Sequence, residues 1–481
     1  MTEKKELESL LLLSCRSPFL NDSKIYAPMA NLYLKSYVNK ELPNVCVVLG
    51  DDGYDLNKPE YFEPYDAIGI SIMTPQREEA LKILHTIKQH YPEKIVIAGG
   101  PHIKQYIGDI LRAKEPYDWL VPLDGERPLV GILKGETDKF THKYMRVGVR
   151  NGKHVITENL DDPKILVDIM SKQDIWNAPR PDRTSENAIR IIKNYHYKLG
   201  DRESTTMMSA RGCPEQCAFC EDAMTPVKRS LLENLRLEME DIKALGYEGV
   251  YLFDDLFALS IKDSNEVADE LKKRDLIYRC NAQARYFTKW GEAMAKMLAD
   301  TGCYEIAFGA ETGSQKILDN IYKRTTVEMN YKTIEYANKY GLIVKAFILL
   351  GLPGENWETL KETEKLIQYL MSNPRNDFGA YIYYPYKGTQ IRDRLDEGED
   401  PGLEMLVSEG VGAYATKDGG SEVVIKTKEL SGEDLFNFRK YLIERYRPES
   451  SKFEWQDNND KNKENSIFDT HLKSKVEYES K

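Results

Sequence analysis

Three cysteines fall within eight residues, in Arg211-Gly212-Cys213-Pro214-Glu215-Gln216-Cys217-Ala218-Phe219-Cys220. Thiolates are soft ligands for iron and zinc, and this spacing lets one short loop wrap a single metal group. A structural zinc site wants four ligands in paired spacing, and the next cysteine after the triplet is Cys280. A simple electron carrier also takes four cysteines as a rule. Three ligands suit a [4Fe–4S] cluster with one open iron, which can bind a small molecule through its amino and carboxylate groups. The other cysteines, Cys15, Cys46, Cys280 and Cys303, are scattered. An odd total without a clear signal segment does not read as a disulfide framework.

The triplet follows a strand candidate, Thr206–Ala210, so it falls on a strand-to-helix loop. Further strand candidates are Val250–Phe253, Tyr278–Gln283, Glu305–Phe308, Val344–Leu350 and Ala380–Tyr383. Helices fit between them: Leu232, Leu235, Met239, Ile242 and Leu245 mark one apolar face, with Gly246 as a stop. Such βα units predict a partial β/α (TIM-like) barrel, with chemistry on loops at the C-terminal strand ends. Polar residues collect at those ends: Asp254 and Asp255, Arg285, Glu311 to Ser314, and Gly351 to Glu355.

Ahead of the barrel, short apolar runs at Leu10–Leu13, Val45–Leu49, Ala67–Ile72, Ile95–Ala98 and Trp119–Pro122 read as buried parallel strands. Ala80, Leu84 and Ile87 give an intervening helix its apolar face. The fold class is therefore α/β. A doubly wound, Rossmann-like sheet over 1–135 is followed by a linker with a hairpin at Asn151-Gly152 over 136–204. The barrel spans 205–395, a small C-terminal α/β or helical segment 396–447, and a disordered polar tail 448–481. Leu10–Leu13 before Ser14-Cys15 is too short, and too close to Glu6 and Glu8, for a signal peptide. No apolar run is long enough to cross a bilayer, and the expected location is the cytoplasm. A net charge of -11 disfavours general nucleic-acid binding.

The triplet, with an aromatic before its third cysteine and a strand before it, resembles the signature of the radical S-adenosylmethionine (SAM) superfamily. Other segments match that superfamily in order over about residues 205–390. The resemblance implies cluster ligation by Cys213, Cys217 and Cys220. It implies SAM contacts from Phe219, Asp254, Asp255, Arg285, Glu311, Ser314, Gly351 and Pro353. Thr312 stands where Ser is common, and Lys387 where a second Pro is frequent. The implied reaction is reductive cleavage of SAM to a 5′-deoxyadenosyl radical, fed by a low-potential donor such as flavodoxin or ferredoxin.

A doubly wound domain ahead of such a barrel resembles the cobalamin-binding class. Ser71, Thr74, Gly99, Gly100 and Gly125 lie after candidate strands, where ligands of such sheets sit, and would line a cobalamin groove. The Asp-x-His-x-x-Gly motif of many cobalamin proteins is absent, and Asp124-Gly125-Glu126 replaces a commoner Gly-Glu-Gly-Glu. A domain that has lost cobalamin is the alternative. With cobalamin, methylation or another radical modification of an unactivated carbon in a small molecule or lipid is implied. A methylthiotransferase acting on RNA and a non-catalytic iron–sulfur redox protein are the competing readings.

Overall fold

The computed structural model describes residues 7–16, 23–51, 53–150, 153–406 and 423–447. The four consecutive leucines form the middle of β1 (Ser9–Ser14), each no more than 2% exposed. Such a run needs cover on both faces, because side chains alternate along a strand. β1 lies between β2 (Cys46–Gly50) and β3 (Ala67–Ser71), followed by β4 (Ile95–Gly99) and β5 (Trp119–Val121). The order is β2-β1-β3-β4-β5 and every pairing is parallel.

One face of this sheet carries Leu11, Leu13, Ile68 and Ile70 against α2 (Arg77–His90) and α3 (Pro101–Arg112). The other carries Leu10, Leu12 and Ile97 against α1 (Met29–Glu41) and α4 (Glu126–Lys134). That second core continues without a break into the barrel, so the two sheets share apolar packing.

Between the sheets, β6 (Lys143–Arg150) and β7 (Lys153–Asp161) pair antiparallel as expected. Their turn, Asn151-Gly152, lies outside the described residues. Leu166, Ala188, Ile191 and Ile192 then enter the shared core. Arg183 is buried with them. It donates through Nε and Nη2 to Glu238 Oε1 at 3.0 and 2.8 Å, and through Nη2 to the Thr206 carbonyl.

The second sheet runs β16-β15-β14-β13-β12-β9-β8. β8 (Tyr197–Leu199) is an antiparallel edge. The rest are parallel: β9 (Arg202–Met207), β12 (Gly249–Leu252), β13 (Ile277–Ala282), β14 (Cys303–Glu311), β15 (Ile343–Leu350) and β16 (Asp377–Ile382). β8 and β16 are its two edges, so this is a partial barrel. The short strands β10 (Ala210–Arg211) and β11 (Lys228–Arg229) pair antiparallel and close the cysteine loop at its base.

β9 begins and ends earlier than the Thr206–Ala210 expected from apolar pattern. The cause is a long-range contact: the amides of Ser209 and Ala210 donate to the Asp254 carboxylate rather than to a neighbouring strand.

Beyond β16, β17 (Leu403–Met405) and β18 (Ile425–Thr427) pair antiparallel, and a helix over Gly432–Tyr446 packs on β16. Residues 407–422 and the tail from 448 lie outside the described residues. Ile425 and Leu435 close over the turn after β15, where Gly351 has φ +86° and a Cβ would overlap Ile425. Glu355 holds that turn by accepting from the Gly351 amide. Among the described residues no helix is long and apolar enough to cross a membrane.

Two stability outcomes follow from these buried charges. Truncating Glu238 to Ala leaves the Arg183 guanidinium buried without its carboxylate. The expected cost is about 3–5 kcal/mol, read from the urea midpoint; a loss below about 1 kcal/mol would refute the pair's importance. Burial pushes the Glu355 carboxyl from its ordinary 4.5 up to about 8. The fold thus favours its neutral form, and that stabilisation is complete below pH 4.5 and lost as pH rises through 8. Glu355→Gln should flatten the decline in melting temperature over this range; an unchanged pH profile would count against it.

Candidate functional site

The cysteine loop is held mainly by backbone geometry. Cys213 N donates to Thr225 Oγ1 at 2.8 Å and Thr225 N to the Cys213 carbonyl at 2.9 Å, tying the loop's two ends. Ala218 N reaches the Ile321 carbonyl at 2.9 Å, and Ile391 N reaches the Ala218 carbonyl at 3.1 Å. Gly212 has φ +98°, and a Cβ there would overlap the Pro226 carbonyl, so only glycine fits the turn into Cys213.

Both acids after β12 serve this loop. Asp254 is buried and accepts from Ser209 N at 2.6 Å, Ala210 N at 3.1 Å and the Ser209 hydroxyl. Burial pushes its pKa up to about 6 against those bonds. Asp255 accepts from Gly212 N at 2.7 Å, and burial raises its pKa too. Arg285 contacts the loop as well, with Nη1 3.3 Å from Glu215 Oε1. The structure therefore gathers Asp254, Asp255 and Arg285 at the cysteines, with their charged groups engaged by the loop itself.

All three thiols are free. Burial raises each pKa, that of Cys213 to about 11, and the charge of Cys217 adds to this at Cys213 and Cys220. The charge of Lys323 acts the other way and lowers Cys217. Three thiols on one loop with a buried cation beside them form a donor set suited to an anionic tris-thiolate cluster. Among the described residues no three Cys, His, Asp or Glu groups gather around the position of a single ion.

Glu311 closes β14 with φ +59°, and the ladder to β15 shifts between Gly309 and Glu311. This bulge brings the carboxylate back beside Gly309, where a Cβ would overlap both it and the Lys323 ammonium. Lys323 Nζ lies 2.5 Å from Glu311 Oε1 and 5.5 Å from the centre of the Phe219 ring. Both partners are buried. Phe219, Glu311 and Cys217 are thus linked through Lys323, a residue that no motif singles out. Tyr322 and Arg324, on either side of it, have φ +51° and +56°. Thr312 directs its hydroxyl to Thr363 at 2.9 Å, and Ser314 is buried at the start of a short helix. Pro353 is buried, and its carbonyl accepts from Asn320 Nδ2 at 2.9 Å.

In the N-terminal sheet a cavity of about 240 Å³ opens at the C-terminal strand ends. Ser71, Gly99, Gly100 and Gly125 line it, and the walls are otherwise mostly apolar, including Leu12, Ile97 and Leu129. It straddles β1 and β3, where the strand order reverses, the usual ligand position in this topology. Gly100 has φ +93°, and a Cβ there would overlap the backbone of Ile72. Thr74 is not among the lining residues; its hydroxyl faces Gln105 at 3.3 Å.

Met208 and Arg211 complete the cavity wall from the barrel side. Arg211 Nη1 lies 3.0 Å from Glu126 and 3.6 Å from Asp124, with its guanidinium 5.4 Å from the centre of the Tyr33 ring. Lys228 also reaches Asp124 at 3.6 Å. On the opposite side of the loop, Lys104 of α3 pairs with Asp222 at 3.0 Å and Gln105 bonds Glu221.

Comparison with known families matches residues 207–367 to the radical SAM superfamily and residues 61–133 to the B12 binding domain. An uncharacterized methyltransferase of Pyrococcus horikoshii is 27% identical over 80% of this chain and 79% of its own length. The anaerobic magnesium-protoporphyrin IX monomethyl ester cyclase of Rubrivivax gelatinosus is 24% identical over 67% of this chain and 57% of its own. Among solved structures, the methyltransferase TsrM from Kitasatospora setae, with cobalamin and a [4Fe-4S] cluster bound, superposes with a TM-score of 0.68. It does so at 15% identity, over 96% of this chain and 93% of that one. The cobalamin-dependent radical enzyme OxsB gives 0.60 at 20% identity over 75% of this chain, which spans only 52% of OxsB. With its cysteine loop at the barrel mouth and its grooved parallel sheet ahead of it, the chain carries a radical SAM domain preceded by a B12-binding domain.

Proposed function

We propose that this enzyme transfers a methyl group to an unactivated carbon of a small molecule, with SAM and cobalamin bound on either side of the Cys213–Cys220 loop. One observation carries this reading. The cavity of the N-terminal sheet is walled by Arg211 and Met208, and Arg211 stands two residues before Cys213. A ligand in the groove and one at the cluster would therefore face the same space. Methyltransferases recur among the relatives, which supports the choice of reaction.

In this reading Cys213, Cys217 and Cys220 hold the cluster. The Glu311 carboxylate takes the SAM amino group while Lys323 balances its charge. Phe219, Ser314, Gly351 and Pro353 shape the surrounding wall, and Asp254, Asp255 and Arg285 fix the loop so that the cysteines stay at the strand ends. Ser71, Gly99, Gly100 and Gly125 let a flat apolar group settle over the C-terminal ends of the parallel strands. When bound, the cluster supplies the electron that cleaves SAM and the cobalamin supplies the methyl group. The electron comes from a low-potential donor such as flavodoxin or ferredoxin.

The test uses protein made with excess cobalamin and purified without oxygen. Near-equimolar cobalamin by absorbance, iron and sulfide in cluster amounts, and reductive cleavage of SAM are the expected results. Absence of cobalamin with an intact cluster would remove the methyl-transfer reading. Replacing Cys213, Cys217 and Cys220 together by Ala should abolish both iron and cleavage. Glu311→Gln should keep the cluster and weaken SAM binding roughly 10- to 100-fold, as for a lost hydrogen bond to a charged group. Unchanged SAM affinity would refute that contact.

A further inference from the structure

The open barrel has two faces with different surroundings. On β15, Val344, Ala346, Ile348 and Leu350 lie fully buried on the helix-covered side. Their alternating neighbours Lys345, Phe347 and Leu349 are only half-buried. The same holds for Asp377 and Tyr381 on β16, for Asn281 on β13 and for Phe253 just past β12. Side chains alternate in a strand, so these residues share one inner surface that no helix among the described residues covers.

Chemistry changes along that surface. At its N-terminal, deep end lie two ion pairs, Arg279–Glu305 at 3.0 Å and Lys345–Asp377 at 3.2 Å. Asp377 also takes Arg447 at 3.4 Å, so one carboxylate serves two cations and Lys345 has only a share of it. The Arg279 guanidinium lies 4.4 Å from the centre of the Tyr251 ring. Higher up the surface turns aromatic. Phe253 meets Tyr251 edge-on with ring centres 4.4 Å apart, and Phe347 lies 6.3 Å from Tyr381. Gly379 makes the space for this wall, since a Cβ there would overlap the Tyr381 ring. At the C-terminal end come Glu311, Lys323 and the cysteine loop.

We propose that this inner face is the substrate site and that it selects a molecule with a flat apolar body and a carboxylate. The carboxylate sits on Lys345, which has only a share of Asp377, and the body lies against the Phe347–Tyr381 pair. The assignment rests on the reading that the reaction takes place at the C-terminal strand ends. A strand rises about 3.3 Å per residue, which puts Lys345 about 16 Å below the end of β15. The reacting carbon is therefore on the order of 10 Å from the carboxylate, and a small aliphatic acid is too short to reach it.

The experiment measures binding of two probes, indole-3-propionate and its neutral amide indole-3-propionamide, to the anaerobic holoprotein with SAM present, by calorimetry. The acid should bind at least 10-fold more tightly than the amide. In Lys345→Met the acid should fall to the level of the amide, while the amide keeps its affinity. Equal binding of acid and amide by the unaltered protein overturns the proposal, and so does binding of neither. A Lys345→Met protein that still prefers the acid does the same. Formation of 5′-deoxyadenosine under reductant is followed in parallel. Cleavage of SAM without selective acid binding removes the substrate assignment alone, and selective acid binding without cleavage removes the proposed function alone.

Discussion

Everything at the barrel mouth depends on two carboxylates that stand in for a missing strand neighbour. Past Met207 the chain leaves the sheet to form the cysteine loop, and its amides lose their ladder partners. Unsatisfied buried amides cost about as much as a lost hydrogen bond each. Asp254 takes the amides of Ser209 and Ala210, and Asp255 takes that of Gly212. The burial that makes Asp254 costly to ionise is partly offset by these bonds, since the two oxygens of a carboxylate can serve several donors at once. The position of Cys213 is thus set from β12, a neighbouring strand, and only indirectly by its own.

The same loop is tied to the first sheet. Arg211 bridges to Asp124 and Glu126, and Lys104 and Gln105 bridge from α3 to Asp222 and Glu221. These pairs are partly exposed, so individually each contributes little stability. Their value is geometric. The common apolar core already fixes one sheet against the other, and the polar bridges fix the orientation of the loop between them. A groove and a thiol loop that share Arg211 keep a constant separation, which any reaction drawing on both requires.

Much of this was legible in the residues. Buried parallel strands read as short apolar runs, and the N-terminal strands lie within about a residue of where Leu10–Leu13 or Ile95–Ala98 put them. The cysteine triplet announces its own chemistry. Other features were not legible, for physical reasons. The early end of β9 depends on a carboxylate more than forty residues away. Thr74 follows a strand as a groove residue should, yet the 3₁₀ turn that contains it directs its hydroxyl to Gln105. Lys323 lies in a charged run, Tyr322-Lys323-Arg324, that reads as solvated surface. Only the left-handed backbone on each side carries it inward. The inner face of β15 is hidden too, because Phe347 and Leu349 are as apolar as the outer residues between them.

The Glu311–Lys323 pair marks where the fold gives up stability. Desolvating two charges costs several kcal/mol per ion, and well-packed apolar residues would often serve as well or better. Three residues at or beside the pair, Glu311, Tyr322 and Arg324, also hold left-handed backbone that side chains disfavour, at about 1–3 kcal/mol each. Neither cost is needed to close the barrel, whose outer face is fully packed without them. Both fall at one point, beside Phe219 and Cys217. A fold shaped by packing alone would place an apolar contact there. Instead the fold keeps a carboxylate and an ammonium in contact there, at the strand end that the cysteine loop also occupies.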